Sequence, residues 1–256
     1  MPRVFDAWLR KFLYQTIGIG VIVAIWFSLP ASDSRIIPPL GRICQVGLDM
    51  FITGTLPIDI WVSIKRVTIG ILIGISLASI IGLFCVIEIV RSLIVGPLEF
   101  ARPIPPIAWI PLMLVIFGVG DYSSIALVAF ASFFPIASSF FLALDSVDKD
   151  LILTARSLGA SDLSCVFRVY IPTMLPIVLN GIKTGAGIGW FSVVASEMLG
   201  SHGGLGYGLQ TTSLNLDMER FFVYLIIIGF CGYFMNFMFQ LLDNKFNYWY
   251  EKGSCV

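Results

Sequence analysis

Long uncharged apolar runs separated by short polar stretches dominate the chain. A bilayer core about 30 Å thick is crossed by about 20 apolar residues of helix. Phe12 to Leu29 carries no charge, and Val67 to Ile87 is an unbroken run of 21 residues. Ser123 to Leu144 and Phe221 to Leu242 add two more, and Met174 to Leu199 a fifth, interrupted only by Lys183 and Glu197. A sixth candidate, Pro106 to Val119, is short, and Pro103, Pro105, Pro106 and Pro111 break its backbone. Broken backbone at membrane depth is tolerated where protein or a water-filled cavity satisfies its polar groups. That segment is therefore either a re-entrant packed turn or part of a pathway. The pattern predicts an all-α polytopic membrane protein with about six transmembrane helices.

Composition agrees. The 256 residues are 57% apolar and 12% charged, with a mean hydropathy of +0.92, whereas a soluble domain carries about 25% charged residues. Too little charge remains to coat a water-exposed surface. Sixteen basic and sixteen acidic residues cancel, and no basic run or acidic tail points to a nucleic-acid partner. Cys44, Cys85, Cys165, Cys231 and Cys255 are odd in number with no C-x-x-C spacing, and read as small apolar fillers. Arg3, Arg10 and Lys11 precede the first run as in a signal peptide. The run is longer than the usual signal core and no A-x-A site follows, so it reads as a retained anchor.

Basic residues set the expected orientation. With the N-terminus inside, the inner segments hold Arg3, Arg10, Lys11, Arg91, Arg102, Lys149, Arg156, Arg168, Lys245 and Lys252. The outer ones hold Arg35, Arg42, Lys65, Arg66 and Arg220. Both termini are expected to be cytoplasmic. Pro30 to Ile64 then lies outside, with Ile36-Ile37-Pro38-Pro39-Leu40 as a stiff extended piece, and Asp145 to Tyr170 lies inside. The expected organisation is an anchor and outer segment over 1–60, a core of about five spans over 61–245, and a tail over 246–256.

The inner loop is the most informative segment. Residues 149 to 158 are amphipathic at helical spacing, with Leu151, Thr154, Ala155 and Leu158 on one side. Gly159 can take the left-handed conformation that ends a helix, and Ser161 or Asp162 suits the N-cap of a second short helix. That helix is expected to stop before Pro172. A short amphipathic helix at a membrane's inner face can dock into a groove of a soluble partner or simply anchor the loop.

Ala155-Arg156-Ser157-Leu158-Gly159-Ala160-Ser161, followed by Ile171-Pro172 and Leu175-Pro176, resembles the "EAA" loop of binding-protein-dependent ABC importer permeases. The family's Glu-Ala-Ala falls on Leu153-Thr154-Ala155, so leucine replaces the acidic residue. Ser63 to Gly70 resembles the helix that opens the permease core. Arg102 to Pro111, Phe117 to Asp121, Ser196 to Gly200 and Gly204 to Tyr207 are similar to the nitrate, sulfonate, taurine and bicarbonate branch.

The resemblance implies a type I importer permease in a bacterial cytoplasmic (inner) membrane. Its implied partners are a second permease chain, as a homodimer, two cytoplasmic P-loop ATPases and an extracytoplasmic solute-binding protein. ATP and Mg would be bound by the ATPase, with no cofactor in this chain. Leu153, Thr154, Ala155, Arg156, Leu158, Gly159 and Asp162 would form the ATPase-coupling surface. The implied function is alternating-access import of a small oxyanion: nitrate, bicarbonate or an alkanesulfonate.

No G-x-x-x-x-G-K-[ST] occurs in the sequence, so ATP binding through a P-loop is not expected of this chain. That fits a separate permease and equally a channel or ion-coupled secondary transporter, although the paired broken helices of an internal repeat are not evident. Lys183 within a span is either an attractive charge for an anion or a snorkelling side chain. Glu197, fourteen residues on, lies about 21 Å along the helix and is a gate or a structural acceptor. Gly181, Gly185 and Gly189 form a small-residue face, serving intrachain packing or a homodimer seam. Trp190, Ser192 and Ser196 are further translocation-path candidates. His202 reads as a loop residue with no metal-ligand set around it, and no catalytic constellation is present.

Overall fold

The computed structural model describes residues 37–253, and the expected first span lies outside them. Two helices open the described chain: α1 (Leu40–Ile52) and the 30-residue α2 (Thr55–Phe84). A bent pair follows, α3 (Glu88–Ala101) and, after a 3-10 turn at Pro106–Trp109, α4 (Ile110–Phe117). Next come α5 (Asp121–Asp145) and the short α6 (Lys149–Ser157). Then α7 (Asp162–Cys165) passes through a π-helical turn (Val166–Tyr170) into α8 (Ile171–Gly200). Helices α9 (Leu205–Leu214) and α10 (Met218–Gly253) complete the order. Among the described residues four helices are long and apolar enough to cross a membrane, and a fifth crossing is available if α3 and α4 form one bent span.

The core is built on α5. Its residues Leu127, Val128, Ile136 and Ala137 are essentially inaccessible, because α2 and α8 press on it from two sides. Helix α2 runs parallel to α5: Gly70 lies against Val128, Gly74 against Ser132, and Gly82 against Phe140. Helix α8 runs antiparallel, with Gly181 against Ser139, Gly185 against Ile136 and Gly189 against Val128. In lipid, helices associate by close packing rather than by the hydrophobic effect. Glycines on both partners let the backbones approach where a Cβ would overlap. The start of α5 and the end of α8 meet through the Gly120 N–H, which donates to Gly200 O at 2.9 Å. That end is called distal here, and the α6 end the loop end.

Three expectations need correcting. Helix α2 begins at Thr55, not near Val67, so Ser63, Lys65 and Arg66 lie within it rather than in an outer segment. Arg66 is buried because α5 and α8 bring carboxylates to it. The region from Pro38 to Ile64 is also largely helical: Pro39 keeps an extended backbone, and α1 starts at Leu40. Thirdly, the helix after Ser161 does not stop before Pro172. It runs through the π turn, where the wider ladder accommodates a residue lacking an N–H. The Pro106 candidate forms the second limb of the bent pair, with an angle of 95° between limbs. Prolines at 103, 105 and 106 leave the backbone between α3 and α4 unable to continue a helix.

Candidate functional site

At the loop end, α6 is a well-capped helix of nine residues. Asp148 accepts from the Asp150 N–H at 2.9 Å, and acidic and basic residues sit in its first and last turns, as the helix dipole favours. Gly159 adopts φ +86°. The Gly159 and Ala160 N–H groups donate to Arg156 O and Ala155 O at 2.9 and 3.0 Å, closing the helix with a left-handed glycine. Ile152 and half-buried Ala155 face inward, where Ile152 packs on the cluster of Ala143, Val147, Met174 and Val178. Leu151, Leu153, Thr154, Arg156 and Leu158 face outward, Leu158 at 84% exposure. Asp162 opens α7, and the Ser161 hydroxyl accepts from the Ser164 N–H. A rigid amphipathic element is thus joined through Gly159 to the continuous helix that becomes α8.

Along α8 the sequence candidates separate. Gly181, Gly185 and Gly189 are buried against α5 and α2 of the same chain, which occupies that face. Ser192 and Ser196 are buried too. Ser192 donates to Ile188 O at 2.7 Å and Ser196 to the Ser124 hydroxyl at 2.8 Å, so both are held in packing contacts. Trp190 lies close to Gly232 of α10. Lys183 is half-buried on the opposite side of the helix, at the edge of a cavity of about 460 Å³ between α8 and α10.

At the distal end a buried ionic cluster ties five helices together. Arg66 reaches from α2 with 4% of its side chain exposed, and Glu197 from α8 with none. Arg66 Nη1 donates to Glu197 Oε1 at 2.9 Å and to Gly203 O at 2.7 Å. Its Nε and Nη2 bond Asp121 Oδ1 at 3.0 and 2.5 Å. The Ser63 hydroxyl lies 2.8 Å from both Glu197 oxygens. The start of α9 is satisfied by the same set. The N–H groups of Gly204, Leu205 and Gly206 donate to Asp59, Ser63 and Glu197 at 3.1, 2.9 and 2.9 Å. Orphan amides at a helix N-terminus favour anionic acceptors, and Gly204 takes φ +103° to turn into it. Tyr224 of α10 donates to Asp59 at 2.7 Å.

In this arrangement Glu197 accepts from Ser63, Arg66 and the Gly206 N–H. Sequence reasoning missed Ser63, Arg66 and Asp121 as its partners. The signal available was the three-residue spacing of Ser63 and Arg66, which places them on one helical face. His202 is exposed, and no metal-ligating group of three or more side chains occurs among the described residues.

The family model described as "Binding-protein-dependent transport system inner membrane component" matches residues 67–248. A "probable ABC transporter permease protein" of Brucella abortus is 35% identical over 238 residues, 93% of this chain and 94% of that protein. The taurine transport system permease protein of Escherichia coli is 28% identical over 250 residues, covering 92% and 90%. Permeases named for aliphatic sulfonate transport and nitrate import match as well. Among solved structures, inward-facing MetNI methionine ABC transporter aligns with a TM-score of 0.67 at 19% identity, covering 76% of this chain and 97% of that one. At that identity the likeness is one of fold.

Proposed function

This chain belongs to the binding-protein-dependent inner membrane components, as an ABC importer permease of the taurine, sulfonate and nitrate branch, and from that premise we propose that it carries a small oxyanion across the bacterial inner membrane by alternating access. It is a transport subunit rather than an enzyme. A binding protein delivers the anion at the distal end, and two P-loop ATPases drive a pair of permease chains, both copies of this one, from the loop end. ATP and Mg belong to the ATPases.

The observation that carries this reading is the outward face of α6. A nine-residue helix and its C-cap present Leu151, Leu153 and Leu158 while Ile152 pins it to the spans. Apolar side chains exposed beyond the ends of the spans fit a groove in a soluble partner. Leu158 would fill an apolar pocket of the ATPase, and Arg156 and Asp162 would make polar contacts beside it. Leucine at 153 makes this contact more apolar than the family's glutamate would. Closure of the ATPase pair then draws the two α6 helices together. The left-handed joint at Gly159 passes that motion to α8, opening the distal side, and hydrolysis resets it.

The test is capture of a P-loop ATPase from native membranes in mild detergent, comparing wild type with Gly159→Trp. Capture by wild type and its loss in a variant that still inserts supports the coupling role. Equal capture by both removes Gly159 from it, and no capture by wild type removes the ATPase partnership itself.

A further inference from the structure

Of the cavities with polar linings among the described residues, one of about 420 Å³ beside Gly159, Ser161 and Arg168 belongs to the loop end, and charge separates three others. A distal cavity of about 760 Å³ is bordered by Asp49, Asp59, Asp217 and Glu219 against Arg220 and His202, which makes it repulsive to an anion. A cavity of about 440 Å³ between α3 and α5 balances Arg91 and Arg102 with Glu99 and Asp145. Arg91 is already committed to Asp145 at 2.5 Å. The third, of about 460 Å³ between α8 and α10, is lined by Asn180, Lys183, Thr184, Trp190 and Asn236, with no carboxylate among its lining residues. Its only formal charge is positive.

Lys183 lies twelve residues into α8, about 18 Å from the first residue of that helix and about 26 Å from its distal end. An ammonium at such depth is costly to insert, so a compensating group is expected. No ion pair or hydrogen bond engages the Lys183 ammonium among the described residues. Around it stand two carboxamides, which donate through NH₂, and a hydroxyl that already donates to Asn180 O at 3.0 Å. One wall is the Trp190 indole, an apolar surface for the body of an organic anion.

We propose that this cavity is the oxyanion-binding subsite of the permease, with Lys183 supplying the charge and the Asn180 and Asn236 amides the hydrogen bonds to a planar or tetrahedral oxyanion. It rests on the oxyanion reading above. The volume exceeds that of a bare nitrate and leaves room for an alkanesulfonate or for retained water. Binding is loose enough for release: one cation and neutral donors, without the bidentate arginine clamp that would hold an anion tightly.

The experiment uses the complete complex, two permease chains with ATPases and loaded binding protein, in proteoliposomes. Radiolabelled taurine, nitrate and bicarbonate are the probes, and the readout is molecules accumulated per ATP hydrolysed. Lys183→Gln is expected to lower that ratio by roughly tenfold or more, the loss of one charge-assisted hydrogen bond, and Lys183→Arg to retain most of it. Asn236→Leu, on the exposed face of α10, removes one amide without touching the charge and is expected to lower the ratio by about threefold or more. A snorkelling lysine would reduce the amount of complex in the membrane and leave the ratio alone. That result, or wild-type ratios in both Lys183→Gln and Asn236→Leu, overturns the subsite. Failure of the wild-type complex to accumulate any of the probes while hydrolysing ATP overturns the oxyanion reading itself, so the two failures are distinct.

Discussion

Consider Glu197→Gln in the distal cluster. The carboxylate is fully buried and accepts from Ser63, Arg66 Nη1 and the Gly206 N–H, all within 2.9 Å. Glutamine keeps the shape but has one acceptor oxygen, and its NH₂ must face a donor. The Arg66 guanidinium, itself 4% exposed, loses its buried counter-charge. Asp121 remains, but at 47% exposure it is screened by solvent and offsets little. Removing one partner of a buried pair costs about 3–5 kcal/mol. For a chain of this size that is a fall in thermal midpoint of roughly 6–20 °C. The assay is thermal unfolding of the intact chain in one detergent, followed by tryptophan emission. Arg66→Met should cost a similar amount by stranding Glu197. The double variant Arg66→Met/Glu197→Met should be less destabilised than the two singles added together, by about 0.5–3 kcal/mol, since no lone charge is left. Arg91→Ala is the control. Its pair with Asp145 is 32% and 57% exposed, so its loss should cost less than about 1 kcal/mol. Additive singles, or an Arg91 effect as large as that of Arg66, would mean that burial does not set the cost of breaking the Arg66–Glu197 pair.

Gly159→Ala should weaken coupling through backbone strain alone, about 1–2 kcal/mol. An added Cβ there meets nothing within 4 Å, while φ is +86°. Gly159→Asn, which tolerates that conformation, should keep more ATP-driven uptake than Gly159→Ala. Gly185→Ala should lower the thermal midpoint, because its Cβ would press on Ile136 and Ser132 O. Gly187→Ala, with open space around it, should raise it, by up to about 1 kcal/mol of helix propensity. Burial raises the Cys85 thiol above its ordinary pKa, which leaves less thiolate at neutral pH. Cys85 should therefore resist a membrane-impermeant maleimide that labels exposed Cys44. Mass spectrometry of the intact chain labelled in detergent, where both ends are open to the reagent, checks this, and labelling of Cys44 in intact cells from outside fixes the orientation.

The spans were legible where apolar runs carry them. Helices α5 and α8 and the membrane part of α10 follow the runs at 123–144, 174–199 and 221–242 to within a few residues, although the crossing segment that contains α8 starts earlier, at Leu163. The α6 turn was legible too, because a left-handed joint asks for glycine and Gly159 stands there. What failed is what depends on distant partners. Arg66 looked like a charge beyond the end of a span, since no local signal shows that Asp121 and Glu197 arrive 55 and 131 residues later. Pro172 looked like a helix stop, and the π turn that absorbs it has no sequence spacing of its own. Helix α3 was missed because charges at Glu88, Arg91 and Glu99, with Pro97 inside it, hide its apolar face. Asn180 and Asn236 gave no signal as single polar residues in apolar runs. They gain meaning only when α8 and α10 enclose Lys183 between them.

Solute uptake into proteoliposomes containing the complete complex separates an ATP-driven permease from an ion-coupled carrier. Taurine, nitrate or bicarbonate is expected to accumulate only with internal ATP and external binding protein, and ionophores to leave the rate unchanged. Uptake that survives ATP depletion and collapses with the ion gradient would contradict this, and would make the chain an ion-coupled carrier.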